Sequence, residues 1–216
     1  MEKRPMEPQL THKQFAEMVD PHAWLLVADN LHTQAVRTRD SARGELLIRI
    51  IGERRDSWDV TERATILLSA FAVENAIKAF LVYENPSWVS NGRIAKPLRS
   101  HNLLGLRNLS ALAPNRSRFS RLLRFLDDGI NSWARYPCAL SAVATAELPH
   151  LNEKYWGEYP RLMASYGRKL TYLLGAGWSG PHGHDASWDC ATMNFLQEPM
   201  QSTASLLSVN RRAFQA

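Results

Sequence analysis

The segment Ala64 to Phe80, ATILLSAFAVENAIKAF, constrains this chain more than any other. It reads as a long helix too apolar to lie on a surface, so other elements must pack around it. Yet it carries Glu74 and Lys78. Ala70, Phe71, Ile77 and Lys78 flank Glu74 at helical spacing, with Leu67 and Leu81 one turn further out. A carboxylate on such a stripe is costly to bury without a partner. Glu74 therefore either meets a cation or donor or lines a cleft. An exposed i, i+4 pair with Lys78 alone would contribute only about 0.3–0.5 kcal/mol.

Helical periodicity recurs on both sides. Trp24, Ala28, Leu31, Ala35, Thr38, Ala42, Leu46 and Ile50 follow one another at three- and four-residue steps after Pro21. This pattern predicts a helix, or two collinear ones, to about Glu53, across the weak point Gly44. LLIRII at 46–51 also suits a strand, but no partner strand is evident. Asp59 and Glu62 have the spacing of an acidic capping box for the next helix, which Asn85-Pro86 stops near Tyr83. Ser100 can cap a short helix bearing Leu103, Leu104, Leu106 and Leu109. A helix from Asn115 or Ser117 to Pro137 turns Phe119, Leu122, Leu123, Leu126, Ile130 and Trp133 inward, and another spans about Tyr159–Leu174. The expected class is all-α: an antiparallel bundle of about five helices. Residues 1–20 are read as a loose extension, 21–175 as the bundle, and 176–216 as a loop and tail, polar apart from Leu206-Leu207.

With 216 residues the chain can bury a substantial core. No run of eighteen apolar residues occurs, so no membrane span is expected. The opening MEKRPMEPQLTHKQF lacks an apolar signal region, and only Cys138 and Cys190 are present. Both features predict a cytoplasmic protein without a disulfide framework. Net charge is +5, with twenty arginines and six lysines. Guanidinium forks suit phosphate, so RNA or a nucleotide is one expected partner; a solvated arginine-rich surface is the other explanation.

Three short motifs stand out. The first is Ala72-x-Glu74 with Lys78. The second is Ser100-His101-Asn102-Leu103, where His101 can titrate near neutral pH or simply begin a helix. The third is Arg135-Tyr136-Pro137, where Arg135 suits a helix C-terminus or a pairing with Glu74 or a phosphate. Together, in this order, they resemble the HEPN family of helical bundle domains over roughly residues 20–175. The resemblance is to members associated with prokaryotic defence and toxin systems. It implies a homodimer, a protein partner such as an antitoxin, and in many members metal-independent RNA cleavage. It also departs from the family: none of the seven histidines follows an arginine by the four to six intervening residues typical of HEPN nucleases. In that motif the arginine stabilises phosphate charge and the histidine performs acid–base chemistry.

The readings that follow differ in class. One is an RNA- or nucleotide-binding protein whose groove is formed by Glu74, Lys78, His101, Arg135 and Tyr136. Another is a ribonuclease toxin with His101 as the catalytic candidate, helped by Arg99 or Arg135. The third is a helical interaction module in which Glu74 only fixes packing. No cofactor or metal is expected. Gly175-Ala176-Gly177-Trp178-Ser179-Gly180 spells a dinucleotide fingerprint but precedes Pro181 and no helical pattern, so it reads as a helix stop. His182, His184, Asp185 and Cys190 are close in sequence without a strand to align them, and read as a polar loop. Arg116, Arg118, Arg121 and Arg124 make a basic stretch, in which Arg118, Arg121 and Arg124 can form a stripe that tracks a phosphate backbone, or a solvated face.

Overall fold

A computed structural model of the chain describes residues 10–41, 45–114, 117–146 and 150–196. Its helices are α1 (His12–Met18), α2 (Pro21–Ser41), α3 (Glu62–Glu84), α4 (Leu103–Leu109), α5 (Ser120–Asn131), α6 (Ala142–Ala146) and α7 (Glu153–Ala176). A hairpin of β1 (Leu46–Ile51) and β2 (Arg54–Asp59) joins α2 to α3, and β3 (Trp178–Ser179) pairs with β4 (Asp185–Ala186) after α7. The structure is mostly helical, as expected for the all-α class.

α3 is the hub. It contacts α2, α4, α5 and α7, which explains why its sequence is apolar on every side. It is long and apolar enough to cross a membrane by length and composition, but 78% of that stretch is buried inside the bundle. α2 runs antiparallel to it: Trp24 near the start of α2 lies by Lys78, and Arg39 near its end reaches Asp59 just before α3. Phe80 meets Tyr166 of α7 edge-on, with ring centroids 5.5 Å apart. α5 approaches so closely at Gly129 that a Cβ there would lie 2.8 Å from Ile66 Cγ2. The inward residues expected on this helix, from Phe119 to Trp133, are all buried.

Four local expectations change. α2 ends at Ser41, and 46–51 is a strand whose partner is the polar run 54–59, with Leu47 opposite Trp58 and Ile48 opposite Ser57. The alternating partner was hard to see because only Trp58 in it is strongly apolar. Gly52, with φ +58°, supplies the left-handed turn residue. Ala42 and Gly44 lie outside the described residues.

The Asp59/Glu62 box is not completed: the Glu62 backbone N–H supports the Asp59 carboxylate, but the Glu62 side chain does not return to Asp59. Asp59 accepts from Thr61 N–H and Oγ1 at 2.7 Å each. Burial pushes its carboxyl up, but the Thr61 bonds and the Arg39 guanidinium outweigh this and leave it below its ordinary value. Glu62 instead reaches across the fold to accept from Leu151 N at 2.6 Å.

Asn102, and not Ser100, caps α4, through Oδ1 to Gly105 N at 2.6 Å. α5 begins at Ser120 and stops at Asn131, six residues before Pro137. Asn115, one of the two expected starts, lies outside the described residues.

Residues 10–20 and 177–196 also carry more structure than their polarity suggests. Thr11 and Gln14 form a capping box on α1, and Asp20 Oδ1 accepts from Ala23 N at 2.8 Å in the first turn of α2. After Gly177 closes α7, the chain returns to the bundle. Trp178, Cys190, Met193 and Phe195 are buried, and Asp29 on α2 accepts from Phe195 N and Asn194 Nδ2 at 3.1 and 2.8 Å. Residues 1–9 and Leu206-Leu207 lie outside the described residues.

Candidate functional site

The three glutamates of α3 share one habit: each reaches from the hub to another segment. Glu62 holds Leu151, and Glu84 accepts from the Ser110 hydroxyl and from Ala111 N and Leu112 N. Glu74 is the deepest. Its side chain is 5% exposed, and Oε1 lies 2.6 Å from Lys78 Nζ, which is equally buried. The Lys78 ammonium also sits 5.5 Å from the centre of the Trp24 ring, within cation–π range. Trp24 is itself fixed by its indole N–H donating to Val19 O at 3.2 Å.

The other carboxylate oxygen faces a different element. Glu74 Oε2 lies 3.0 Å from Nδ1 of His101, whose side chain is 54% exposed. An ionised carboxylate only accepts, so the bond places a proton on Nδ1 and leaves Nε2 outside this contact. The backbone around His101 is pinned on both sides. Ser100 Oγ accepts from Asn102 N at 3.1 Å, and Asp127 of α5 accepts from Leu103 N at 2.6 Å. Burial pushes the Asp127 carboxyl up, against the lowering effect of the Leu103 bond. Arg99 donates from Nε and Nη2 to Ile94 O at 3.0 and 2.8 Å, which bends the preceding loop back on itself.

Two motifs separated by 27 positions thus meet. The partner that meets Glu74 from another segment is the His101 ring N–H and not Arg135. Arg135 is exposed and lies over its own neighbour, 5.8 Å from the Tyr136 ring centre. It also stands beyond the C-terminus of α5, in a turn closed by Arg135 N and Tyr136 N donating to Ser132 O at 3.1 Å each. Arg63, at the start of α3, donates to the Tyr136 and Pro137 carbonyls. Glu74 is eleven residues further along the same helix, about 16 Å away at 1.5 Å per residue. Arg135 and Tyr136 therefore sit by the start of α3, and neither contacts Glu74 among the hydrogen bonds and ion pairs of the described residues. Lys78 is withdrawn as well: buried against Glu74 and Trp24, it does not present its ammonium to a ligand. Of the three contacting charged or titratable side chains, Glu74, Lys78 and His101, it is His101 that reaches the surface.

The remaining motifs separate in space. His182 Nε2 accepts from Asn91 N at 3.1 Å, whereas His184 Nε2 lies 3.2 Å from Asp20 Oδ2. Cys190 is buried, and burial raises its thiol. Among the described residues no three His, Cys, Asp or Glu side chains gather around a common point. Arg118 lies over Phe119, while Arg121 and Arg124 line a cleft of about 340 Å³ with Phe125, Asp128 and Tyr155. Arg116 lies outside the described residues.

One buried polar group escaped the sequence reading. His32 on α2 is buried, with Nδ1 3.0 Å from Tyr159 Oη. Burial lowers its pKa to about 4 and pushes the Tyr159 phenol up. The phenol thus keeps its proton and shares this hydrogen bond with a neutral imidazole. His32 sits at i+4 from Ala28 on the apolar stripe, the only local signal that could have revealed it.

The chain matches no protein-family model, no curated protein and no solved structure. What the site can do rests on its own chemistry. An imidazole held at Nδ1 by a buried carboxylate offers Nε2 as a base or, when protonated, as a donor to an anion.

Proposed function

We propose that the protein is a HEPN-like RNA- or nucleotide-binding protein of a bacterial stress or defence system, with His101 meeting the phosphate-bearing ligand. The observation that carries this reading is the 3.0 Å contact between Glu74 Oε2 and His101 Nδ1. It joins the first two motifs of the resemblance around one solvent-facing imidazole. The third motif does not join them, so the groove is centred on His101 and excludes Arg135 and Tyr136. Arginine-rich composition and a net charge of +5 favour a phosphate partner. Residues 21–175 form the HEPN-like unit in this reading. It works in the cytoplasm as a homodimer, and a protein partner such as an antitoxin would act on it.

A second reading, the metal-independent ribonuclease toxin, is favoured by one feature of the same contact. A buried carboxylate that orients a half-exposed imidazole suits proton transfer from a ribose hydroxyl. Only one such group is present at the site, and the usual arginine–histidine spacing is missing.

The two readings separate in a single experiment. Purified protein is incubated with fluorescent RNA in EDTA, and binding and cleavage are followed together. Binding that is lost in His101→Ala, without cleavage, supports the first reading. Cleavage lost in the same variant supports the second. Binding and cleavage that are both equal in wild type and His101→Ala would refute both.

A further inference from the structure

The β1–β2 hairpin leaves its apolar strand uncovered. Leu46, Leu47, Ile48 and Ile50 are 57%, 48%, 49% and 70% exposed. Successive residues of a strand point to opposite faces, so β1 is apolar on both, the pattern of a strand buried on both sides. Its one charged residue is Arg49, and it holds neither proline nor lysine to block edge pairing. A lone two-stranded sheet is marginal in water, whereas three or more strands with an apolar face are not.

The hairpin's own register fixes which backbone groups are free. Val60 N donates to Glu45 O at 3.1 Å, so Glu45 and Val60 form a hydrogen-bonded pair. Such pairs alternate along an antiparallel ladder. Leu47 with Trp58 and Arg49 with Asp56 are therefore bonded pairs too. Leu46, Ile48 and Ile50 then turn their N–H and C=O groups to the free edge. Among the described residues no backbone–backbone bond ties them to another element.

We propose that β1 pairs antiparallel with β1 of a second copy, about a twofold axis at Ile48, to form a continuous four-stranded sheet. This inference rests on the dimer reading above and is independent of the ligand. Self-pairing is selected by register. Centred on Ile48, the free groups of Leu46, Ile48 and Ile50 face those of Ile50, Ile48 and Leu46 of the second copy. All six side chains share one face, and Arg49 falls opposite Leu47. A shift that places the twofold between two residues sets outward groups against inward ones and makes no ladder. Centring on Arg49 puts two guanidinium side chains directly opposite each other, which is repulsive. Centring on Leu47 leaves Ile50 unpaired. The strand is thus complementary to itself at one register, and its single charge, Arg49, gives little to recruit a charged foreign chain.

The test combines light scattering with cysteine cross-linking in a Cys138→Ser background, because Cys138 is exposed. Wild type should be a dimer. Ile48→Asp should halve the mass without altering helical circular dichroism, since Ile48 is surface-exposed in one copy. Ile48→Cys should cross-link between copies on mild oxidation, because hydrogen-bonded partners have Cα atoms about 5.5 Å apart, within disulfide reach. Arg49→Cys should cross-link far less. A wild type that stays monomeric at all concentrations overturns both the dimer reading and this interface. A dimer that survives Ile48→Asp, or that cross-links through R49C in preference to I48C, leaves the dimer standing and overturns this interface.

Discussion

Glu74 and His101 face each other across the bundle, Oε2 to Nδ1 at 3.0 Å, with the carboxylate 5% exposed and the imidazole 54% exposed. The same carboxylate holds Lys78 at 2.6 Å through its other oxygen. One buried acid therefore serves two roles: it neutralises a buried ammonium and aims a surface histidine. The roles separate by mutation because the two contacts use different oxygens.

Glu74→Gln should destabilise the fold strongly. The amide leaves the Lys78 ammonium buried without a countercharge, a change that typically costs about 3–5 kcal/mol. The double variant Glu74→Gln/Lys78→Met should recover much of that loss, because no unpaired charge remains. Urea denaturation of both measures the difference. A single variant as stable as wild type would show that the pair is not held as described.

His101→Ala should leave stability within about 1 kcal/mol of wild type, because the side chain is half-exposed and Glu74 keeps Lys78. RNA or nucleotide affinity should fall by tenfold or more if the imidazole meets phosphate. Thermal melting with and without ligand reads both effects on one sample. A ligand response that survives intact would place the site elsewhere.

Stability should fall with pH as acid is added, and His32 should account for part of the slope. Its folded-state pKa is about 4, below the ordinary 6.5 of the unfolded chain. Between those values the unfolded chain binds a proton that the folded one does not. Stability is thus fully present above about pH 6.5 and lost progressively toward pH 4, by about 3 kcal/mol in all. His32→Gln, which can still bond to Tyr159, should be flatter over that window. Parallel pH profiles of wild type and variant would contradict this.

Asp29→Ala should loosen residues 194–196 without unfolding the bundle. Removing the carboxylate leaves Phe195 N and Asn194 Nδ2 without their acceptor, at a cost of about 1–3 kcal/mol. Limited proteolysis should cut the variant near this segment sooner than wild type. Equal cleavage rates would mean that apolar packing of Phe195 alone holds it.

The sequence by itself determined the helical class and the burial of the 64–80 segment, and it singled out Glu74 without deciding that the side chain turns inward. These follow from local periodicity and from the cost of burying an unpaired charge. It also brought forward His101 and Lys78. What it did not determine was who meets whom. Arg135 was a sound candidate for Glu74, yet Arg63 fixes the Tyr136–Pro137 backbone at the start of α3, eleven residues before Glu74. The hairpin stayed hidden because LLIRII suits helix or strand alone, and only pairing with 54–59 decides it. His32 and Asp29 look like ordinary polar residues of a helix until Tyr159 and Phe195 close over them. Partner choice depends on distances between segments far apart in the chain, and local spacing carries no information about those distances.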